Sequence, residues 1–310
     1  MSKGSLSKVP LLEIDGQRFR VRGRPVATAS LQEEWYEDLR DPGHTIHELR
    51  RSRHRVDLLT FWQRPPETEP RYGYYHEWVD VAAIPITTYE RWWNEQIGTK
   101  TRNMVRKPSK RGVVIAETPF TDELVAGITA IFNQAPVRRG KRFRHYGMTD
   151  AETRAMFADR LDDSIFIAAH FRDELIGFFQ VIRADRYAMI MMILDKISHR
   201  DKSPMNGLMA KAVEICAQRG IPMLTYTDWR RGSHGEFQAR NGFERVRVPR
   251  YYVALSGLGH FALQVGLHRG IKGALPDWAY GRLLALRSRW YDARFARSRR
   301  TDRANVEATG

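Results

Sequence analysis

Between residues 164 and 219 the chain spells three strand-length apolar runs and then a helix, with little between them. Runs 164–171 and 175–183 are separated by Arg172-Asp173-Glu174, short enough for an antiparallel hairpin. Run 187–197 is apolar without alternation, the pattern of a central strand covered on both faces. A loop at 198–206 follows. Leu208, Ala212, Ile215 and Cys216 then recur at helical spacing over 207–219, and Gly220 suits a left-handed helix end.

The elements on either side extend this order. Residues 113–117 read as a strand, 121–134 as a helix opened by Thr121 and Asp122, and Thr149 with Glu152 as a capping box opening a second helix to about 161. Residues 222–229 read as a strand, 236–241 as a short helix stopped by Gly242, and 243–255 as a last strand or pair of strands. Upstream, 56–62 and 72–86 read as strands. Thr87 and Glu90 form a capping box for a helix running toward Pro108, whose one side collects Lys100, Arg102, Asn103, Arg106, Lys107 and Lys110.

Lys and Arg number 51 against 36 Asp and Glu, a net charge of +15. Such an excess favours an anionic partner: phosphate groups, RNA or an anionic membrane surface. The residues Arg138, Arg139, Lys141, Arg142 and Arg144 form a basic loop. Beyond 256, Leu283, Leu286 and Trp290 make an apolar stripe among arginines, which reads as a basic amphipathic helix with a disordered end. A single cysteine, Cys216, permits no internal disulfide. No apolar run reaches the roughly 18–20 residues of a membrane span. With no secretory pattern at the N-terminus, the expectation is a cytoplasmic protein, with peripheral membrane attachment open to the basic tail. No His or Cys spacing suggests a metal site, and the phosphate-loop, dinucleotide and nucleophile-elbow motifs are absent.

The order strand, helix, helix, three antiparallel strands, helix, strand, helix, strand over 112–255 resembles the GNAT acyltransferase superfamily. Lys202-Ser203-Pro204-Met205-Asn206-Gly207 stands where that superfamily places a glycine loop that binds coenzyme A at a helix start. Met205 replaces the first glycine of the loop, and Pro204 removes a donor. A second resemblance, to the FemAB-like branch of double-GNAT aminoacyl- and acyltransferases, rests on three stretches. These are 100–107 with Lys110-Arg111-Gly112-Val113, Tyr226-Thr227-Asp228-Trp229, and Phe237-Gln238-Ala239-Arg240-Asn241-Gly242-Phe243. Gln238 occupies the position where the branch usually has lysine.

The resemblance implies an α/β (α+β) fold: a mixed, mostly antiparallel sheet flanked by helices, in two tandem GNAT-like units plus a C-terminal basic helix. The expected division is 1–98, an eroded first unit; 99–255, the acyltransferase unit; and 256–310, the tail. It implies a GNAT-type acyltransferase that moves an acyl or aminoacyl group from acyl-coenzyme A, or from aminoacyl-tRNA, to an amine, with no permanent cofactor. The candidate catalytic residues are Asp195, Tyr226 and Asp228. The donor would meet Ile197, Lys202, Ser203, Met205, Asn206, Gly207 and Leu208, and its phosphates Lys100, Arg102, Arg106 and Lys107. The alternative is a non-catalytic protein on the same scaffold that binds nucleic acid or an anionic membrane.

Overall fold

A computed structural model describes residues 11–269, apart from Arg139, Arg230 and Arg231. Two compact units are distinguished among the described residues: 11–119 with 160–268, and 120–159 with Arg269.

The first segment of the larger unit carries β1 (Leu11–Ile14), β2 (Gln17–Arg22), β3 (Thr28–Leu31), α1 (Pro42–Arg51), β4 (Leu58–Trp62), β5 (His76–Pro85), α2 (Tyr89–Arg91), α3 (Thr99–Lys110) and β6 (Val113–Glu117). The smaller unit carries α4 (Asp122–Phe132), β7 (Val137–Arg138), β8 (Lys141–Arg142) and α5 (Asp150–Ala158). The larger unit resumes with β9 (Ser164–Phe171), β10 (Glu174–Arg183), β11 (Ala188–Asp195), α6 (Pro204–Gln218), β12 (Met223–Asp228), α7 (Gly232–Arg240), β13 (Glu244–Ala254) and α8 (Gly257–Gln264).

Eleven strands of the described residues form one sheet, in the order β1-β2-β3-β4-β13-β5-β12-β11-β10-β9-β6. Its two halves repeat each other. Each begins with a hairpin closed by two residues at positive φ, Asp15-Gly16 in one and Arg172-Asp173 in the other. Each adds a third antiparallel strand, then a helix with Pro at its start, then a strand parallel to the third. The next strands are exchanged. β5, which follows β4, pairs with β12, while β13, which follows β12, pairs with β4; β5 and β13 pair with each other at the centre. Only the β9–β12 half has an additional edge strand, β6, among the described residues.

The main core lies between this second half-sheet and α6, where Leu208, Met209, Ala212, Val213 and Cys216 pack against Ile167, Phe179, Ile190 and Leu224. Burial in that apolar setting pushes the Cys216 thiol up to about 12, so it stays a neutral core group. The first half-sheet has its own core around Phe19, Leu31, Leu59, Phe61 and Tyr251.

The helix expected from Thr87 to Pro108 is instead broken in two. Thr88, not Thr87, is the cap, accepting from Arg91 N. A π-helical turn over Trp92–Gln96 follows, Ile97 is extended, and Gly98 caps α3. Tertiary contacts impose the break. Trp92 is fully buried with its indole N–H donating to Asn241 O at 3.0 Å, and Arg102 collects the carbonyls of Trp93 and Ile97 at 2.9 and 2.8 Å. Pro108 lies inside α3 rather than at its end. α1 and α8 are elements that the sequence reading leaves out. Among the described residues no helix is long and apolar enough to cross a membrane. The basic tail at 282–303 lies outside the described residues.

Candidate functional site

The parallel pair β11–β12 holds for two registered positions, Ala188 with Leu224 and Met189 with Thr225. Past Met189, β11 keeps only its β10 partner, and past Thr225 the β12 ladder slips against β5. A wedge opens there. Asp195 ends β11 on one side, and Tyr226 and Asp228 end β12 on the other. Met191 is exposed on the open stretch of β11, where full cover was expected.

The end of β12 is distorted and held. Thr227 has φ +54°, a left-handed conformation costly for a β-branched residue. Gln238, fully buried on α7, donates from Nε2 to Tyr226 O and Asp228 O, both at 3.1 Å. The position where a lysine was expected therefore serves as a neutral clamp on the strand end. The Tyr226 ring lies 5.2 Å from the ring of His234 and 6.5 Å from that of Phe237. Across the wedge both carboxylate oxygens of Asp195 accept from Arg200 Nε at 3.2 Å.

The loop between β11 and α6 makes a short 3-10 helix, Ile197–Lys202, and reaches Ser203 at φ 57°, ψ 42°. Ser203 is buried and its side chain makes no cap bond, so α6 starts without a side-chain cap. Unpaired amides and the positive dipole end at such a start attract anions. Ile197 is exposed, while Lys202 lies over the Phe171 ring at 4.7 Å and 3.4 Å from the Asp201 carboxylate. Met205 packs on the core and Leu208 is within it. A Cβ at Gly207 would stand 2.3 Å from Ile115 Cδ1 and 3.1 Å from Pro108 Cγ. This glycine is required by the close packing of α6 on α3 and β6.

The four basic residues singled out on α3 divide. Arg102 is committed to backbone carbonyls, with a further bond from Nη2 to Thr99 Oγ1 at 3.0 Å. Arg106 stacks over Trp93 at 5.0 Å. Lys107 is half-buried. Lys100 is exposed and meets Asn206 in one hollow that also involves Met104, Phe237, Arg240 and Asn241. Sequence reasoning found Lys100 and Asn206 separately, and named Gln238 and Asn241 within the 237–243 stretch without giving either a part in the site. A signal for both was present, as two buried-size amides bracket the turn that Gly242 ends. In the smaller unit, Arg138 bonds Ile131 O and covers Phe143, and Arg144 donates to His145, whereas Lys141 and Arg142 are exposed. Among the described residues no cluster of His, Cys, Asp or Glu could hold a metal ion.

The first half-sheet has the equivalent opening closed. β3 and β4 also pair at two positions, Thr28 with Leu58 and Ala29 with Leu59. Here the segment between β3 and α1 folds back on β4: Trp62 Nε1 donates to Glu34 O at 2.6 Å, and the Trp35 and Trp62 rings meet edge to face at 4.8 Å. Asp41 caps α1, its carboxylate accepting from His44 N at 2.9 Å.

No protein-family model matches the sequence, and no curated protein matches it. Solved structures do. The C-terminal DUF2156 domain of a protein assigned as a lysylphosphatidylglycerol synthetase in Agrobacterium fabrum aligns with a TM-score of 0.55 at 13% identity, over 83% of this chain and 87% of that one. FemX aligns at 0.53 and 9%, over 77% and 86%. L-PGS from Bacillus licheniformis aligns at 0.52 and 10%, over 80% and 84%. With its strand order, its split parallel pair and its repeated half-sheet, the chain shares the fold of these three structures.

Proposed function

We propose that the chain is a GNAT-type acyltransferase that moves an acyl or aminoacyl group from a phosphate-bearing donor, acyl-coenzyme A or aminoacyl-tRNA, to an amine. The observation that carries this reading is the asymmetry between the two halves. One wedge is filled and its helix start capped by a carboxylate, while the other is open beside an uncapped helix start. FemX and the two lysylphosphatidylglycerol synthetase structures share this fold, which supports group transfer as the class of reaction.

In this mechanism the donor lies in the wedge with its phosphates toward the start of α6 and Lys100. The amine nitrogen attacks the acyl carbonyl, the C–S or C–O bond of the donor breaks, and the amine loses a proton. Backbone N–H groups of β11 beyond Met189, without a neighbour on the β12 side, polarise the carbonyl. Asp195 takes the amine proton through water, with Arg200 holding its carboxylate in place. Tyr226 gives a proton to the departing thiolate or alkoxide, and Asp228 helps to hold the amine. Of the donor-loop residues, Ile197, Lys202, Ser203, Met205 and Asn206 face the donor through backbone or side chain. Gly207 and Leu208 act through packing.

The test measures thiol release from acyl-coenzyme A with primary amines, and label transfer from charged tRNA. Tyr226→Phe lowers the rate by roughly 100-fold if a positioned acid is lost. No turnover with either donor refutes the transferase reading. Salt-sensitive retention on RNA or anionic vesicles, lost on deleting 282–303, would then establish the binding alternative.

A further inference from the structure

The chain's longest stretch without Asp, Glu, Lys or Arg is 251–268, in a sequence of which 28% is charged. It covers the end of β13 and all of α8. Such a segment is ordinary in a core, but here one side of it faces solvent. Phe261 is 54% exposed, Val265 52% and Leu267 51%. Phe261 and Val265, four residues apart, share one side of the helix end, and half-buried Leu258 continues that side. Tyr75 adds a fourth exposed group, its ring meeting that of His268 at 6.0 Å.

The frame under this face is fixed. Ser256 caps α8, accepting from Gly259 N at 3.1 Å and donating to the Asp57 carboxylate at 2.7 Å. Ala262 is fully buried, and a Cβ at Gly259 would stand 2.0 Å from Asp57 O, so the helix lies directly on the chain entering β4. At the far end the buried His268 side chain donates from Nε2 to Glu77 Oε1 at 2.8 Å and packs on the Tyr252 ring at 4.8 Å.

The sequence beyond α8 indicates what meets this face. Residues 282–303 hold eight arginines against two aspartates, with Trp290, Tyr291 and Phe295 among them. RNA would be met by the arginines but not by Val265 and Leu267, because its binding is carried by neutralised phosphates. A partner with an apolar interior and an anionic boundary is met by both. Aromatic residues among cationic ones suit the same boundary.

We infer that α8 docks the chain on an anionic lipid bilayer. Phe261, Val265 and Leu267 enter the boundary between headgroups and acyl chains, Tyr75 sits at headgroup level, and the arginines that follow in sequence add electrostatic attraction. The inference does not rest on the transferase reading and stands whether or not the chain moves an acyl group.

The test is flotation of the full chain with vesicles of phosphatidylserine and phosphatidylcholine in equal parts. Phe261→Ser with Leu267→Ser lowers partitioning roughly 10- to 100-fold, as the loss of two large interfacial side chains implies. The urea midpoint stays unchanged, because both side chains are exposed. Deleting 282–303 removes the salt-sensitive part of binding and leaves the part that the double substitution removes. A second measurement places a polarity-sensitive dye on Phe261→Cys, and its emission shifts to the blue on vesicles. The native thiol, Cys216, is buried and stays unlabelled. The same dye on Val114→Cys stays unshifted, since Val114 is exposed on β6, six strands from β13 in the sheet order and so roughly 29 Å away. Partitioning untouched by the double substitution, or equal shifts at 261 and 114, overturns the proposal. So does a blue shift at 261 that appears without vesicles and grows with protein concentration, which would assign the face to a second copy. Should the double variant fail to fold, the two labelled chains decide.

Discussion

Replacing Gln238 with leucine tests whether this buried amide shapes the end of β12. Gln238 is fully buried, and leucine of similar bulk opens little cavity. Two hydrogen bonds of 3.1 Å to the carbonyls of Tyr226 and Asp228 are lost. At about 1 kcal/mol net for each bond, the direct loss is about 2 kcal/mol. The left-handed strain at Thr227, of order 1–3 kcal/mol, is present in the wild type and offsets part of that loss wherever the freed strand end relaxes. Gln238→Leu is therefore destabilised by about 1–2 kcal/mol. Equilibrium urea unfolding followed by circular dichroism reads this as a shifted midpoint at constant slope. Thr227→Gly, which accepts positive φ without strain, recovers about 1 kcal/mol in the Gln238→Leu background. Gln238→Lys keeps a donor but buries an ammonium group, so it costs at least as much as leucine. A Gln238→Leu protein within about 0.5 kcal/mol of wild type would refute the reasoning, because a clamp on two carbonyls cannot be that weak.

Two further outcomes follow from the packing and the charges. Gly207→Val costs about 2–3 kcal/mol in urea unfolding, because its side chain meets Ile115 and Pro108, whereas Gly207→Ala costs less, as the Ile115 tip can swing and alanine favours the helix; a Gly207→Ala protein that stays stable but loses donor binding would contradict the packing role. His145, stacked on Phe132 at 4.8 Å, is lowered to about 4 by burial first and by the neighbouring Arg144 second. Its unfolded-state value is near 6.5, so the unfolded chain binds the proton more readily, and stability falls as pH drops from about 6.5 through about 4. His145→Asn flattens that part of the pH profile of thermal unfolding, and an unchanged profile would show that His145 does not titrate in this way.

Local patterning was legible wherever it agreed with tertiary packing. The strands at 113–117 and 164–171 and the capping box at Thr149 and Glu152 match the structure residue for residue. The helix after Thr88 was misread because its hydrophobic period continues through Ile97 and Gly98. What interrupts it is the Trp92 indole reaching Asn241, 149 residues away. The candidate site was legible in outline, since a loop, a helix start and two strand ends are all local features. The roles of individual groups were not, because they depend on long-range contacts. Arg102 looks like a phosphate ligand in sequence and turns out to bond carbonyls. Gly207 looks like a phosphate-loop glycine and turns out to admit Pro108 and Ile115. Gln238 looks like a lost charge, yet it holds a strand end in place.

The repeat within the sheet shows how one half can hold a site while the other holds the fold. Both halves place a helix start beside a parallel pair that separates after two positions, so both begin with the same geometry. In the first half an aspartate at the helix start satisfies the amides that an anion would use. There Arg64 is buried with its guanidinium on Asp38 and on the Tyr187 hydroxyl at 2.8 Å, and Tyr187 in turn donates to Trp35 O at 2.6 Å. Tyr187 directly precedes β11, so the segment that fills the first wedge is bonded to the foot of the strand that borders the second. Filling one wedge thus anchors β11 where it is still paired, and beyond Met189 the strand can part from β12 without loosening the sheet. An open wedge in an eleven-stranded sheet is a loss of ladder hydrogen bonds, and it is sustained here because the exchanged strands β5 and β13 knit the centre and the closed half stiffens the border.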